Sequence, residues 1–344
     1  MHITQILIHQ PIGLLRLQTD TDLEGWCFGV GSDEGRMIQE AYAGAVIGQN
    51  PIDRERLWLE LVGLDRNIVP TTLRSYLDTA LWDLAAKAVG LPVYRMIGGF
   101  RSRVPVYLAG GSHDDTLGVI QEALQAQQDG FLGYKITCHQ TSDRLFGLIR
   151  EIRQAVGSDF YLMLDGARQN RSTGAVRIGR ILDEADFYWF EEPIEERDPL
   201  QGGCIHVADE IDTPVALRAR TNIEVSRILS VQAADMIIAS TPASGGITDV
   251  LKIGRAADAF GVFCLIGSEG ISPGFAHAHL LGAIKNAPFF EAKQAGVIDN
   301  APFIKNPLNV VNGYLDIPQA PGLGLEPDWD MIDERTELII DSNT

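Results

Sequence analysis

The chain has 344 residues, 45% of them hydrophobic, and a formal net charge of −18. That length calls for one large domain plus a smaller one, and that apolar fraction excludes a disordered chain. The acidic balance excludes phosphate backbones and anionic lipid surfaces as partners, but not a small anion met by local arginines.

The first hundred residues read as α+β. Ile3 to His9 alternates like a strand, and Leu14 to Leu17 and Trp26 to Val30 predict two more. Beyond Gly35 the pattern turns helical. Pro51 is placed to open a helix that carries Leu57, Leu61 and Leu64. Leu73 to Val89 repeats apolar residues at helical spacing until Gly90 and Pro92 stop it.

From Val104 a short apolar run followed by a helical pattern recurs eight times. The runs begin near Val104, Phe131, Phe160, Phe187, Pro214, Asp235, Val262 and Phe289. The clearest intervening helix runs from Ser142 to Val156, with Leu145, Leu148, Ile149 and Ile152 on one face. Strands apolar almost throughout belong to a parallel sheet buried on both faces, and eight such units close a barrel. The alternative, an open doubly wound sheet, usually carries a glycine-rich phosphate loop after its first strand. Here that turn reads Leu108-Ala109-Gly110-Gly111-Ser112-His113, which has no such pattern. The expected division is a capping domain over residues 1–103, a modified (β/α) barrel over 104–293, and a segment over 294–344 that returns to the cap. The four cysteines, Cys27, Cys138, Cys204 and Cys264, are scattered and read as reduced thiols. The N-terminus has no signal-peptide pattern and no apolar run is long enough to span a membrane, so a cytoplasmic protein is expected.

Barrel chemistry sits at the C-terminal strand ends. Asp165 closes the third predicted strand and Glu191 the fourth. Two neighbouring carboxylates repel unless a cation lies between them. Mg²⁺ suits hard oxygen ligands, while Lys135, Arg168, Arg218 and Arg220 are alternative neutralisers. Lys135 reads as the sole lysine at a strand end on this face. Beside a metal and other cations its pKa would fall far enough for a base; otherwise it pairs with Asp165. His139 reads as a solvated loop histidine. His277 and His279, two apart on a helix, point to different faces and share no metal. The acidic run Glu191, Glu192, Glu195 and Glu196 beyond its first member reads as a solvated loop.

Longer motifs carry a resemblance. They are Tyr76-Leu77-Asp78-Thr79-Ala80-Leu81-Trp82-Asp83-Leu84, continuing through Lys87, Gly90, Pro92 and Gly98-Gly99; Trp189-Phe190-Glu191-Glu192-Pro193; Gly245-Gly246-Ile247-Thr248; and Pro321-Gly322-Leu323-Gly324-Leu325-Glu326. In order and spacing the chain resembles the mandelate racemase / muconate lactonizing enzyme-like branch of the enolase superfamily. The resemblance implies an α+β cap over a modified (β/α) TIM-type barrel. It also implies Mg²⁺ binding a substrate carboxylate, and a base that takes the proton beside it, leading to racemisation, epimerisation, cycloisomerisation or dehydration of sugar acids.

Carried over by residue, Lys135 matches the first of a lysine pair whose second member is Thr137. Asp165 and Glu191 match two metal ligands. Ala219 stands where the third is implied, Ser240 for an aspartate and Gly267 for its histidine. Glu291 matches an acid of the eighth strand. Arg168, Arg218, Arg220 and Glu291 are candidate substrate contacts. Two functions stay open: a divergent enolate-forming enzyme with Lys135 as base and a weakened Mg²⁺, or a catalytically impaired binder of small carboxylates. A homo-oligomer is expected. At the old metal position either a guanidinium, that of Arg220 more than Arg218 turned over the barrel mouth, pairs with Asp165 or Glu191 or presents a fork to a substrate carboxylate, or a weak Mg²⁺ or water remains.

Overall fold

A computed structural model of the protein describes residues 1–65, 70–113, 115–137, 142–195, 202–267, 271–293, 297–298 and 302–342. Period-two alternation builds the first sheet. Strands β1 (Ile3–Gln10), β2 (Leu14–Thr19) and β3 (Glu24–Phe28) pair antiparallel and bury Ile6, Ile8, Leu15 and Leu17. β3 ends two residues before the expected Val30. Gly29 takes φ 112°, and that left-handed backbone breaks the extended run. Helices α1 (Glu34–Val46), α2 (Arg54–Leu64) and α3 (Thr71–Ala88) cover the sheet through Ile38, Tyr42, Leu57, Leu61, Leu77 and Leu81. α2 starts three residues beyond Pro51, because Asp53 N–H first closes a turn onto the Asn50 carbonyl. A short α4 (Val93–Met96) leads out of this layer.

The barrel follows. Strands β4 (Arg103–Gly110), β5 (Gly133–Thr137), β6 (Tyr161–Asp165), β7 (Trp189–Glu191), β8 (Val215–Arg218), β9 (Met236–Ala239), β10 (Phe263–Ile266) and β11 (Phe290–Ala292) run parallel in sequence order, and β11 pairs with β4 to close the ring. Every expected apolar run begins within two residues of its strand. Between strands lie α5 (Thr116–Gln128), α6 (Ser142–Val156), α7 (Ser172–Glu184), α8 (Gly202–Glu210), α9 (Asn222–Ser230), α10 (Thr241–Ser244), α11 (Ile247–Ala259) and α12 (Ile271–Ala283). Alternate residues explain the unbroken hydrophobicity. Tyr134, Ile136, Leu162, Leu164, Val215 and Leu217 face the helices, while Met163, Trp189, Ala216, Met236, Leu265 and Phe289 fill the interior.

The chain then adds β12 (Val297–Ile298), β13 (Leu308–Val311) and β14 (Tyr314–Asp316), the last antiparallel to β4. After α13 (Trp329–Arg335), β15 (Leu338–Asp341) joins the first sheet beside β1. No helix among the described residues is long and apolar enough to cross a membrane.

The long motif on α3 fastens cap to barrel. Asp78 accepts from Arg54 Nη2 at 2.5 Å and from the Thr248 N–H and Oγ1 at 2.9 and 2.7 Å. Trp82 Nε1 donates to Thr248 Oγ1 at 2.9 Å, and Arg74 Nη1 donates to the Gly245 carbonyl at 3.0 Å. Gly246, at φ 122°, has no side chain because a Cβ there would press on the Asp78 carboxylate. This residue group therefore positions the barrel beneath its cap.

Candidate active site

Strand parity turns one residue from each of seven strand ends into a common ring. Lys135 comes from β5, Asp165 from β6, Glu191 from β7 and Arg218 from β8. Ser240 and Gly267 follow β9 and β10, and Glu291 lies in β11. These seven line a cavity of about 310 Å³ together with Tyr107, Ile238, Leu265 and Lys293.

Lys135 organises the ring. Its buried Nζ donates to both oxygens of Glu191, at 3.1 and 3.0 Å, and to Glu291 Oε2 at 2.5 Å. Trp189 Nε1 donates to Glu191 Oε1 at 2.8 Å, and the Tyr107 hydroxyl donates to Glu291 Oε2 at 2.5 Å. Lys293 Nζ lies 3.1 Å from Glu291 Oε1. Gly267 keeps this crossing open, since a Cβ on it would lie 3.1 Å from the Glu291 carboxyl.

Burial opposes the charge on Lys135, but Glu191 and Glu291, with Tyr107 and Asp165 behind them, hold the ammonium well above its ordinary pKa. Burial likewise opposes the charge on Glu291. Lys135 and Lys293 outweigh it and hold that carboxyl well below the usual range. Glu191 has only one ammonium beside it, so burial wins and its pKa rises.

The sequence-predicted residues divide. Lys135, Asp165, Glu191, Arg218 and Glu291 face one cavity. Arg168 stands outside its lining and donates through Nε to Glu192 Oε1 at 2.9 Å, while Arg218 Nε lies 3.4 Å from the same oxygen. The acidic run beyond Glu191 is thus held at Glu192, which is only part exposed; Glu196 and His139 lie outside the described residues. Arg220 is exposed, and its backbone N–H donates to Glu224 at 2.7 Å. The expectation that Arg220 turns over the mouth is corrected: Arg218 holds the ring position, and the cation on Glu191 is Lys135. Parity explains the error, because Ala219 is the outward residue, packed with Val215 and Leu217.

The expected lowering of the Lys135 pKa is reversed, since carboxylates rather than cations surround it. Nor is Lys135 the sole lysine of this face: Lys293, two residues past Glu291, lines the cavity, and that spacing was the available signal. Tyr107 escaped notice because it sits mid-strand. His277 and His279 serve separate partners. His277 Nε2 accepts from the Thr241 N–H at 3.1 Å, and His279 Nδ1 accepts from the Tyr94 N–H at 3.2 Å. A ring nitrogen that accepts belongs to a neutral imidazole, and burial pushes both pKa values down to about 4.

The residues present do not fit a resident Mg²⁺. Among the described residues no group of three or more His, Cys, Asp or Glu could hold a metal ion. A divalent ion between Asp165 and Glu191 would stand beside the Lys135 ammonium. At about 4 Å and an effective dielectric of about 20, that repulsion is about 8 kcal/mol, about half of what one carboxylate ligating the ion at about 2.1 Å would supply. Arg218, facing the same cavity, opposes the ion further.

Comparison with known proteins bears on the same residues. The family described as "Mandelate racemase / muconate lactonizing enzyme, N-terminal domain" matches residues 4–98, and "Enolase C-terminal domain-like" matches 118–331. The chain is 26% identical to the D-galactarolactone cycloisomerase of Agrobacterium fabrum over 93% of this chain and 90% of that protein. It is 30% identical to the arabinonate dehydratase of Saccharolobus solfataricus over 73% of this chain and 68% of that one. A solved mandelate racemase/muconate lactonizing enzyme from a marine actinobacterium, in complex with magnesium, superposes with a TM-score of 0.85 at 26% identity, covering 97% and 98% of the two chains.

Proposed function

This chain belongs to the mandelate racemase / muconate lactonizing enzyme branch of the enolase superfamily, and from that membership we propose that it transfers the proton beside the carboxylate of a small sugar acid. The observation that carries the reading is the cavity at the barrel mouth. Three cations, Lys135, Arg218 and Lys293, face three carboxylates, Asp165, Glu191 and Glu291, in a space sized for one small polar molecule. The sugar-acid chemistry named for two relatives, a cycloisomerase and a dehydratase, supports the same substrate class, and dehydration, racemisation or epimerisation are the outcomes proposed for this chain.

In this reading Arg218 and Lys293 receive the substrate carboxylate, Arg218 with the planar fork suited to it. Glu291 orients hydroxyls. Lys135, held protonated by Glu191 and Glu291, stabilises the negative charge that grows on the carboxylate as the neighbouring C–H breaks. It can then return a proton to the product. Asp165, half-buried at the edge of the ring, is the proton acceptor on the same wall. Arg168 braces Glu192 behind this wall. No step passes through a metal ion. A homo-oligomer in the cytoplasm belongs to the same reading.

The test is solvent exchange. The native protein in heavy water, screened against aldonic and aldaric acids, is expected to incorporate deuterium beside the carboxylate of one of them. Lys135→Ala and Asp165→Asn are each expected to slow this by about a hundredfold or more. No exchange with any acid, but saturable binding of one, would leave a carboxylate binder on this scaffold.

A further inference from the structure

We propose that the ammonium of Lys135 has taken the place of the divalent cation, so that this barrel mouth is neutralised from within and is assembled without metal. Three observations carry this. Lys135 Nζ bridges carboxylates of two strands that are not its neighbours, Glu191 on β7 and Glu291 on β11, at 3.0 and 2.5 Å. It thereby ties three parts of the ring together, as a metal would. The side chains concerned are 6 to 7% exposed, and each carboxylate has a further neutral donor, Trp189 or Tyr107. Every lone pair facing the bridge thus has a reason to be where it is.

The second observation is the β8 ring position. Arg218 faces the cavity there, while Ala219, where the resemblance implies a metal ligand, packs among outward apolar residues. A fixed positive charge and a missing carboxylate both disfavour a second cation. The third is Gly267, whose lack of a side chain gives Glu291 the room to reach the bridge. Thr137 completes the pattern: one lysine remains on β5, and the carboxylates have enlisted it.

A divalent ion at such a site would hold the carboxylates together. Here an atom of the chain does so, and the ion cannot be lost to a chelator. The inference concerns the cation alone. It is tested without any sugar acid, so a failed exchange screen leaves it standing, and a failed metal test leaves the substrate reading standing.

The experiment uses the full chain stripped with EDTA. Its melting temperature is expected to move by less than about 1 °C on adding millimolar MgCl₂, and Mn²⁺ titrated in its place is expected to show no tight site by electron paramagnetic resonance. In Lys135→Met the two carboxylates lose their cation. That variant is expected to melt lower and to regain about 3 °C or more with the same MgCl₂. A native chain that binds one Mn²⁺ tightly, or that Mg²⁺ stabilises as much as it does Lys135→Met, overturns the proposal. So does a folded Lys135→Met that ignores Mg²⁺. If Lys135→Met does not fold, the Mn²⁺ titration of the native chain decides alone: a tight site refutes, none supports.

Discussion

At the scale of single residues, the bridge makes Glu291 costly to neutralise. Glu291→Gln keeps the shape and an acceptor oxygen but removes one of the two charges on Lys135. Hydrogen bonds to charged groups are worth roughly 1.5–3 kcal/mol, so urea unfolding is expected to show a loss of about that size. A loss below about 0.5 kcal/mol would mean that Glu191 alone holds the ammonium. Much of this site was readable in the sequence. Lys135, Asp165 and Glu191 follow apolar strands at inward positions, and alternation brings them together. Their pairing was not readable, because the nearest partner of Lys135 lies 156 residues away across the ring. The β8 position was misjudged by a single residue, since the parity of a four-residue strand gives little margin. Lys293 needed only the observation that it stands two places after Glu291.

Among elements, the eight strands were readable because each is apolar on both faces, and the helices because only one face is. What escaped was the use made of α12. Its hydrophobic surroundings bury two histidines, His277 against Thr241 and Glu291, and His279 between Tyr94 and the Leu323 carbonyl. Each ring is neutral in the fold and free to charge once unfolded, so the unfolded chain binds more protons. The stability each contributes is complete above the unfolded value of 6.5 and is lost as pH falls toward about 4. Across that window the loss is about 3 kcal/mol per histidine. Urea midpoints taken from pH 7 to pH 4 are expected to fall steeply for the native protein and less steeply for His279→Gln. Parallel slopes for the two would remove His279 from the account.

For the whole molecule, a net charge of −18 surrounds a cavity whose wall is balanced by three cations and three carboxylates. A small carboxylate is therefore repelled at a distance and attracted only near Arg218 and Lys293. The screening length is about 30 Å at 0.01 M salt and about 8 Å at 0.15 M. Moderate salt should suppress the distant repulsion first, so the association rate of a carboxylate ligand is expected to rise between those two concentrations. Stopped-flow binding that slows with salt throughout would show that the local cations dominate at every range. The first sheet carries a different consequence. β15 lies against β1 more than three hundred residues after it in the chain, with Leu7 opposite Asp341 and Gln10 opposite Leu338. As the chain leaves the ribosome, β1 can pair at once with β2, but its other edge has no strand until residue 341 has been made. Through all of that interval the edge is open to strands of other chains.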